Sequence, residues 1–123
     1  MAFLIDTVYD SGLGTLTTNA DQIDITTSEI SAWGSLAAAT LGNDAVTTGA
    51  AADGTPSGRG VTVPAITAGT VTGDGAATHW CLSNGSDTVY AAGTLTGGGQ
   101  TVTSGNTFTL DAITITLIDA VIV

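Results

Sequence analysis

From residue 61 onward the chain is written in short alternating runs cut by glycine turns. Val61 and Val63 alternate with Thr62 and Pro64. Turn signals recur about every ten residues, the spacing of a sandwich or barrel. Gly69 to Thr72 reads as a strand, Gly73-Asp74-Gly75 as a turn, and Ala76 to Leu82 as the next strand. Asn84-Gly85 is the strongest hairpin signal, because a type I′ turn requires positive φ at both central residues. Thr88 to Leu95 is the return strand, and Gly97-Gly98-Gly99 turns the chain again. Thr101 to Thr103, Asn106 to Leu110 and Ile113 to Ile118 complete the set. In the last strand Ile113, Ile115 and Leu117 are expected inward, with Thr114 and Thr116 outward. Threonine suits the polar positions, since a β-branched side chain packs well on a pleated surface. Pro64 marks a strand end or an edge.

The N-terminal part is different. Phe3, Leu4, Val8, Leu13 and Leu16 are loosely spaced for one face of a short helix over 3–18, and Asp6 suits its dipole. Gly12 and Gly14 each cost such a helix about 1 kcal/mol. Gln22 to Thr27 alternates as a half-buried strand, with Ile23 and Ile25 on one face and Asp24 and Thr26 on the other. Residues 28–60 carry the weakest pattern. A helical turn fits around Trp33, Leu36 and Ala37–Ala39, and Thr47 to Gly60 reads as an extended loop or weak strand. The expectation is one all-β domain over 1–123, an antiparallel sandwich or barrel. It comprises a helix and first strand (1–27), an irregular region (28–60) and the β core (61–123).

Charge excludes several partners. The 123 residues carry 11 acidic side chains and one basic one, for a net charge of −10. The lone cation is Arg59, and there is no lysine. Nucleic acid needs cations to neutralise phosphates, and an anionic membrane surface needs the same. No apolar run is long enough to span a bilayer, and the N-terminus has no basic stretch of a secretory signal. A single cysteine, Cys81, allows no disulfide within the chain and suits a reducing compartment. Hydrophobic residues make up 43% of the chain, but aromatics only 5%, so an alanine-rich core is thin. Oligomerisation or docking would complete its burial.

Reactive groups are few. His79 and Cys81 lie two apart on a strand and share a face, which invites a metal reading. A zinc site wants about four ligands, and no other Cys or His exists. The alternative is a small buried cysteine beside a hydrogen-bonded histidine. No orienting third group marks a Cys–His nucleophile. Asp53-Gly54 and Asp74-Gly75 read as turns, because no calcium-loop pattern surrounds them. Glycoside hydrolysis needs two placed carboxylates, whereas most acids here flank turns or alternate outward. No catalytic residue, metal or cofactor is expected, and no aromatic cluster argues for a carbohydrate site.

The residues expected at an interface are Arg59, Phe3, Leu4, Val121, Ile122 and Val123. Apolar termini are unusual, so both ends are expected to add a strand or pack on a neighbour. Gly58-Arg59-Gly60 is either a plain surface loop or the seat of a bidentate carboxylate contact, within the protein or across an interface. Trp33 and Trp80 are core anchors or interface hot spots.

One resemblance covers most of the chain. Asp53-Gly54-Thr55-Pro56-Ser57-Gly58-Arg59 precedes the strand Val61-Thr62-Val63. Gly75-Ala76-Ala77-Thr78-His79-Trp80-Cys81-Leu82 follows, then a hairpin, Gly105 to Leu110, and an Ile-Thr-Ile strand near Asp119. Asp6 to Leu13, followed by Ile23-Asp24-Ile25, fits the same pattern. The ensemble resembles a family of small structural proteins of tailed bacteriophages. That resemblance implies a virion component made in the bacterial host cytoplasm, and it carries no catalytic residue. Within a virion, a −10 subunit suits the outer capsid surface better than the DNA side. The expectation is a decoration (cement) protein on the major capsid protein, and the resemblance implies a homotrimer. The rival is a tail tube, tail tip or fibre-associated β domain, where an acidic lumen would let DNA slide.

Overall fold

A computed structural model describes residues 4–120. Helix α1 (Asp6–Asn19) leads into β1 (Gln22–Thr26). A 3-10 turn, Trp33–Ser35, continues into the single turn α2 (Leu36–Ala39) and then β2 (Thr40–Ala45). Next come β3 (Ala52–Asp53), β4 (Arg59–Val63), β5 (Ile66–Val71) and β6 (Gly75–Ala77). After β7 (His79–Ser83) and β8 (Val89–Thr94), a glycine-rich turn, Thr96–Gly98, precedes β9 (Gln100–Val102), β10 (Thr107–Leu110) and β11 (Ile113–Leu117). The protein is a small all-β fold with an N-terminal helix.

Three antiparallel sheets form. The largest runs β10-β5-β2-β1-β7-β8, the second β11-β4-β3, and β6 pairs with β9. Ile23, Ile25, Trp80, Leu82 and Phe108 of the large sheet share a core with Val63 of the second, and Ile113 and Ile115 pack against it. Tyr9 and Leu13 are the buried residues of α1, and Leu16 packs against the core. The spacing i, i+4, i+7 puts all three on one stripe. Tertiary packing of this stripe offsets the propensity cost of Gly12 and Gly14.

The middle of the chain is more regular than its sequence suggests. β2 lies inside the large sheet, between β5 and β1. Its residues, Leu41-Gly42-Asn43-Asp44, are mostly poor strand formers, so propensity hides it. Gly42 explains the exception: a Cβ there would overlap the Thr70 carbonyl and come within 3.0 Å of the Val71 Cα. Glycine lets the β5 backbone approach.

The expectation that β1 is half-buried is also revised. Asp24 and Thr26 are as buried as Ile23 and Ile25. The segment after β1 folds back over the sheet's second face. Ile30, Leu36 and Ala39 cover Cys81 there, with Trp33 and Val89 at the margin. Asp24 is satisfied inside by Gln22 Nε2 at 2.8 Å and the Thr40 hydroxyl at 2.6 Å.

Two local readings change. Residues 76–82 divide at Thr78, whose N–H donates to the Thr26 carbonyl while its own carbonyl accepts from Leu95. At Asn84-Gly85 only Gly85 has positive φ, so the turn is not type I′. Asn84 instead closes a longer loop: its side-chain oxygen accepts the N–H groups of Ser86, Asp87 and Thr88.

Candidate functional site

Arg59 opens β4, immediately after the turn Gly54–Gly58, which is closed by a Gly54 N–H to Gly58 carbonyl bond. Its guanidinium reaches α1. Nε donates to Asp10 Oδ1 at 2.9 Å and Nη2 to Asp10 Oδ2 at 3.2 Å. Nη1 donates to Asp53 Oδ1 at 2.7 Å, and Nη2 also to the Ala51 carbonyl at 3.3 Å. Asp6 stands 3.9 Å away. The hydrogen bond to Asp10 raises the guanidinium pKa most; partial burial opposes it, and Asp53 with the neighbouring charges adds to the rise. Of the roles open to Arg59, the bidentate carboxylate contact therefore forms within the chain. It ties the helix to the second sheet.

The end of the described chain runs beside this cluster. The Ala120 N–H donates to the buried Tyr9 hydroxyl at 2.7 Å, and the Asp119 N–H to Ser57 Oγ at 3.3 Å. Gly58 has φ +79, and a Cβ there would overlap the Leu117 carbonyl and sit 2.8 Å from the Ile118 Cα. A small turn is thus required where 117–120 crosses it. Residues 4–10 and 117–120 are brought to one end of the molecule, around Arg59.

All large apolar side chains that are exposed among the described residues belong to these two segments. They are Leu4, Ile5 (57% exposed), Val8 (51%), Leu117 and Ile118 (65%). Leu4, one of the residues expected at an interface, is exposed. Phe3, Val121, Ile122 and Val123 lie outside the described residues. Leu117 was expected inward but is exposed, because only Ile113 and Ile115 of β11 reach the shared core. The packed Tyr9–Leu13–Leu16 stripe puts Val8 off the core-facing side of α1. Among the described residues β11 is also an edge strand, paired with β4 alone, and it carries no charge or proline that would discourage strand addition.

The remaining reactive groups are occupied structurally. Cys81 is fully buried, and its thiol is pushed up to about 11, first by burial and then by the charge of Asp24. A thiol held protonated is a poor nucleophile and ligand. His79 shares its face, and its Nδ1 lies 2.8 Å from the Thr78 hydroxyl. Asp74 serves its turn by accepting the Ser104 N–H at 2.7 Å, and Asp53 pairs with Arg59. Among the described residues, no three His, Cys, Asp or Glu side chains gather as a metal site. Among the described residues, no helix is long and apolar enough to cross a membrane. Compared with models of known families, curated proteins and solved structures, the chain matches none.

Proposed function

We propose that this protein is a structural component of a tailed-bacteriophage virion: a capsid decoration protein that docks on the outer surface of the major capsid protein shell. One observation carries the reading. Exposed large apolar side chains are grouped on the two adjoining segments 4–8 and 117–118, on an otherwise threonine-covered, acidic molecule. Scattered exposed apolar residues need no explanation, but grouped ones mark an interaction surface. Arg59 holds the helix that carries Val8 and that Leu4 and Ile5 lead into. The net charge of −10 keeps free subunits soluble and repels the DNA side of a shell. The open edge of β11 offers a second copy a strand to pair with, in keeping with a homotrimer around a local symmetry axis.

The test is co-sedimentation of purified protein with expanded, undecorated capsids. Binding that saturates at a fixed ratio per capsomer is expected, with a trimer mass by light scattering. Failure to sediment, together with assembly of the free protein into rings or tubes, would give the tail reading instead.

A further inference from the structure

A cleft of about 510 Å³ opens where the end of β8, the turn after it and the β10–β11 connection meet. We propose that it is a binding site for a neutral saccharide, of the size of a mono- or disaccharide. The proposal is independent of the virion reading.

The walls argue for this ligand class. Trp80, Leu95 and Leu110 form the apolar floor, each less than a tenth exposed, and Thr94, Thr96, Gln100 and Asp111 supply polar groups around it. Trp80 is fixed in place. Its cross-strand partner is Gly93, where a Cβ would lie 2.8 Å from the indole ring. Gln100 is held as well, with Nε2 donating to the Thr109 carbonyl at 2.8 Å. The Thr94 and Thr96 hydroxyls and the Asp111 carboxylate make no side-chain hydrogen bond among the described residues, so they are free for a ligand. Gly97, Gly98 and Gly99 of the adjoining turn all have positive φ, and Gly99 lines the cleft.

Chemistry removes the competitors. Asp111 is the only charged side chain in the lining, and the sole cation, Arg59, is at the opposite end of the β4–β11 pair. A phosphate, sulfate or carboxylate would therefore meet a carboxylate with no cation to balance it. A wholly apolar ligand would strand the hydroxyls and the carboxylate without partners. A simple cation would gain one exposed carboxylate, which is worth little. A sugar ring fits both kinds of wall. Its C–H groups suit the exposed edges of Trp80, Leu95 and Leu110 at the floor, and its hydroxyls both donate and accept, as threonine, glutamine and aspartate require. The volume lies in the range of small-molecule sites.

The experiment is an NMR amide titration of the full chain. The probes are glucose, galactose, mannose, N-acetylglucosamine, maltose and lactose, each to about 50 mM, a range that captures millimolar affinity. At least one sugar should shift the Trp80 indole N–H and the amides of 96–100 and 111 saturably. Asp111→Ala should weaken that binding about tenfold or more, the loss of a hydrogen bond to a charged group. Asp87→Ala, in the hairpin loop, should leave it unchanged. Should Asp111→Ala disturb folding, Thr96→Ala provides the same test. The proposal is overturned if no sugar produces saturable shifts, if shifts fall elsewhere, or if they ignore both cleft variants. Equal or tighter binding of glucose 6-phosphate or spermidine would also overturn it, by showing a site selected for charge.

Discussion

Arg59 grips Asp10 through both carboxylate oxygens, at 2.9 and 3.2 Å, although 49 residues separate them in sequence. This contact joins the helix to the second sheet. A lysine is a point donor and cannot reproduce the paired geometry. Thermal unfolding of Arg59→Lys and Arg59→Ala should therefore give melting temperatures in the order wild type, Lys, Ala. Trypsin should also cut Arg59→Lys faster after residue 59, because the looser helix exposes that strand. Equal melting temperatures for all three proteins would show that the ion pair is not a fastening.

Phe108 lies over Gly69 on the neighbouring strand, where a Cβ would overlap the ring. Phe108 is buried and has little room to move. Gly69→Ala should thus lower stability by about 1–3 kcal/mol, the cost of overpacking. Chemical denaturation measures this directly. At an ordinary strand position the same substitution would be neutral or stabilising, so the sign of the change is diagnostic.

Two threonines give opposite expectations. Thr40 donates to buried Asp24 at 2.6 Å. Thr40→Val removes a hydrogen bond to a carboxylate and should cost about 1.5–3 kcal/mol. Thr48 is fully buried, whereas Thr40 is half-buried, yet the Thr48 hydroxyl has no partner among the described residues. Thr48→Val keeps the shape and removes an unpaired polar atom, so it should be neutral or stabilising by about 1 kcal/mol. Urea midpoints of the two variants should move in opposite directions.

These threonines also show what the sequence could and could not reveal. The strands after residue 61 were legible because valine, isoleucine and leucine alternate with threonine between glycine turns. β2 was not, because its conformation is imposed by neighbours: Gly42 is there to admit the β5 backbone. Asp24 looked like a solvent-facing residue on an alternating strand. Alternation reports which face a side chain takes, but not whether Ile30 and Leu36 return to cover that face. Arg59 was conspicuous as the lone cation, and its liking for a carboxylate follows from its chemistry. Its choice of Asp10 depends on helix placement, which no local pattern encodes. The cleft beside Trp80 was invisible for a similar reason. Its polar residues come from separate strands and an ordinary-looking glycine turn.

Cys81 should be silent in the native state. Burial and the charge of Asp24 push its thiol from the usual 9.0 to about 11. Thiol reagents at pH 8 should react slowly with folded protein and fast after denaturation. A pH dependence follows. The unfolded chain loses this proton first, so the contribution of Cys81 is fully present below about pH 9 and is lost as pH rises toward 11. Cys81→Ala should show a smaller alkaline loss of stability than wild type over that window.

Val8 and Ile118 separate docking from folding. Both are more than half exposed, on the two segments that meet around Arg59. Neither belongs to the packed stripe of α1 or to the shared core, so Val8→Ser and Ile118→Ser should each change stability by no more than about 0.5 kcal/mol. If these segments form the docking surface, the double variant should lose most of its co-sedimentation with undecorated capsids. Central apolar contacts at an interface commonly cost about 1 kcal/mol or more when truncated, and two of them correspond to a weakening of about thirtyfold. Deleting 120–123 should act in the same direction, although it also removes the Ala120 bond to Tyr9. Wild-type capsid binding by a folded double variant would move the contact away from this end of the molecule, and the open edge of β8 would be the next surface to probe.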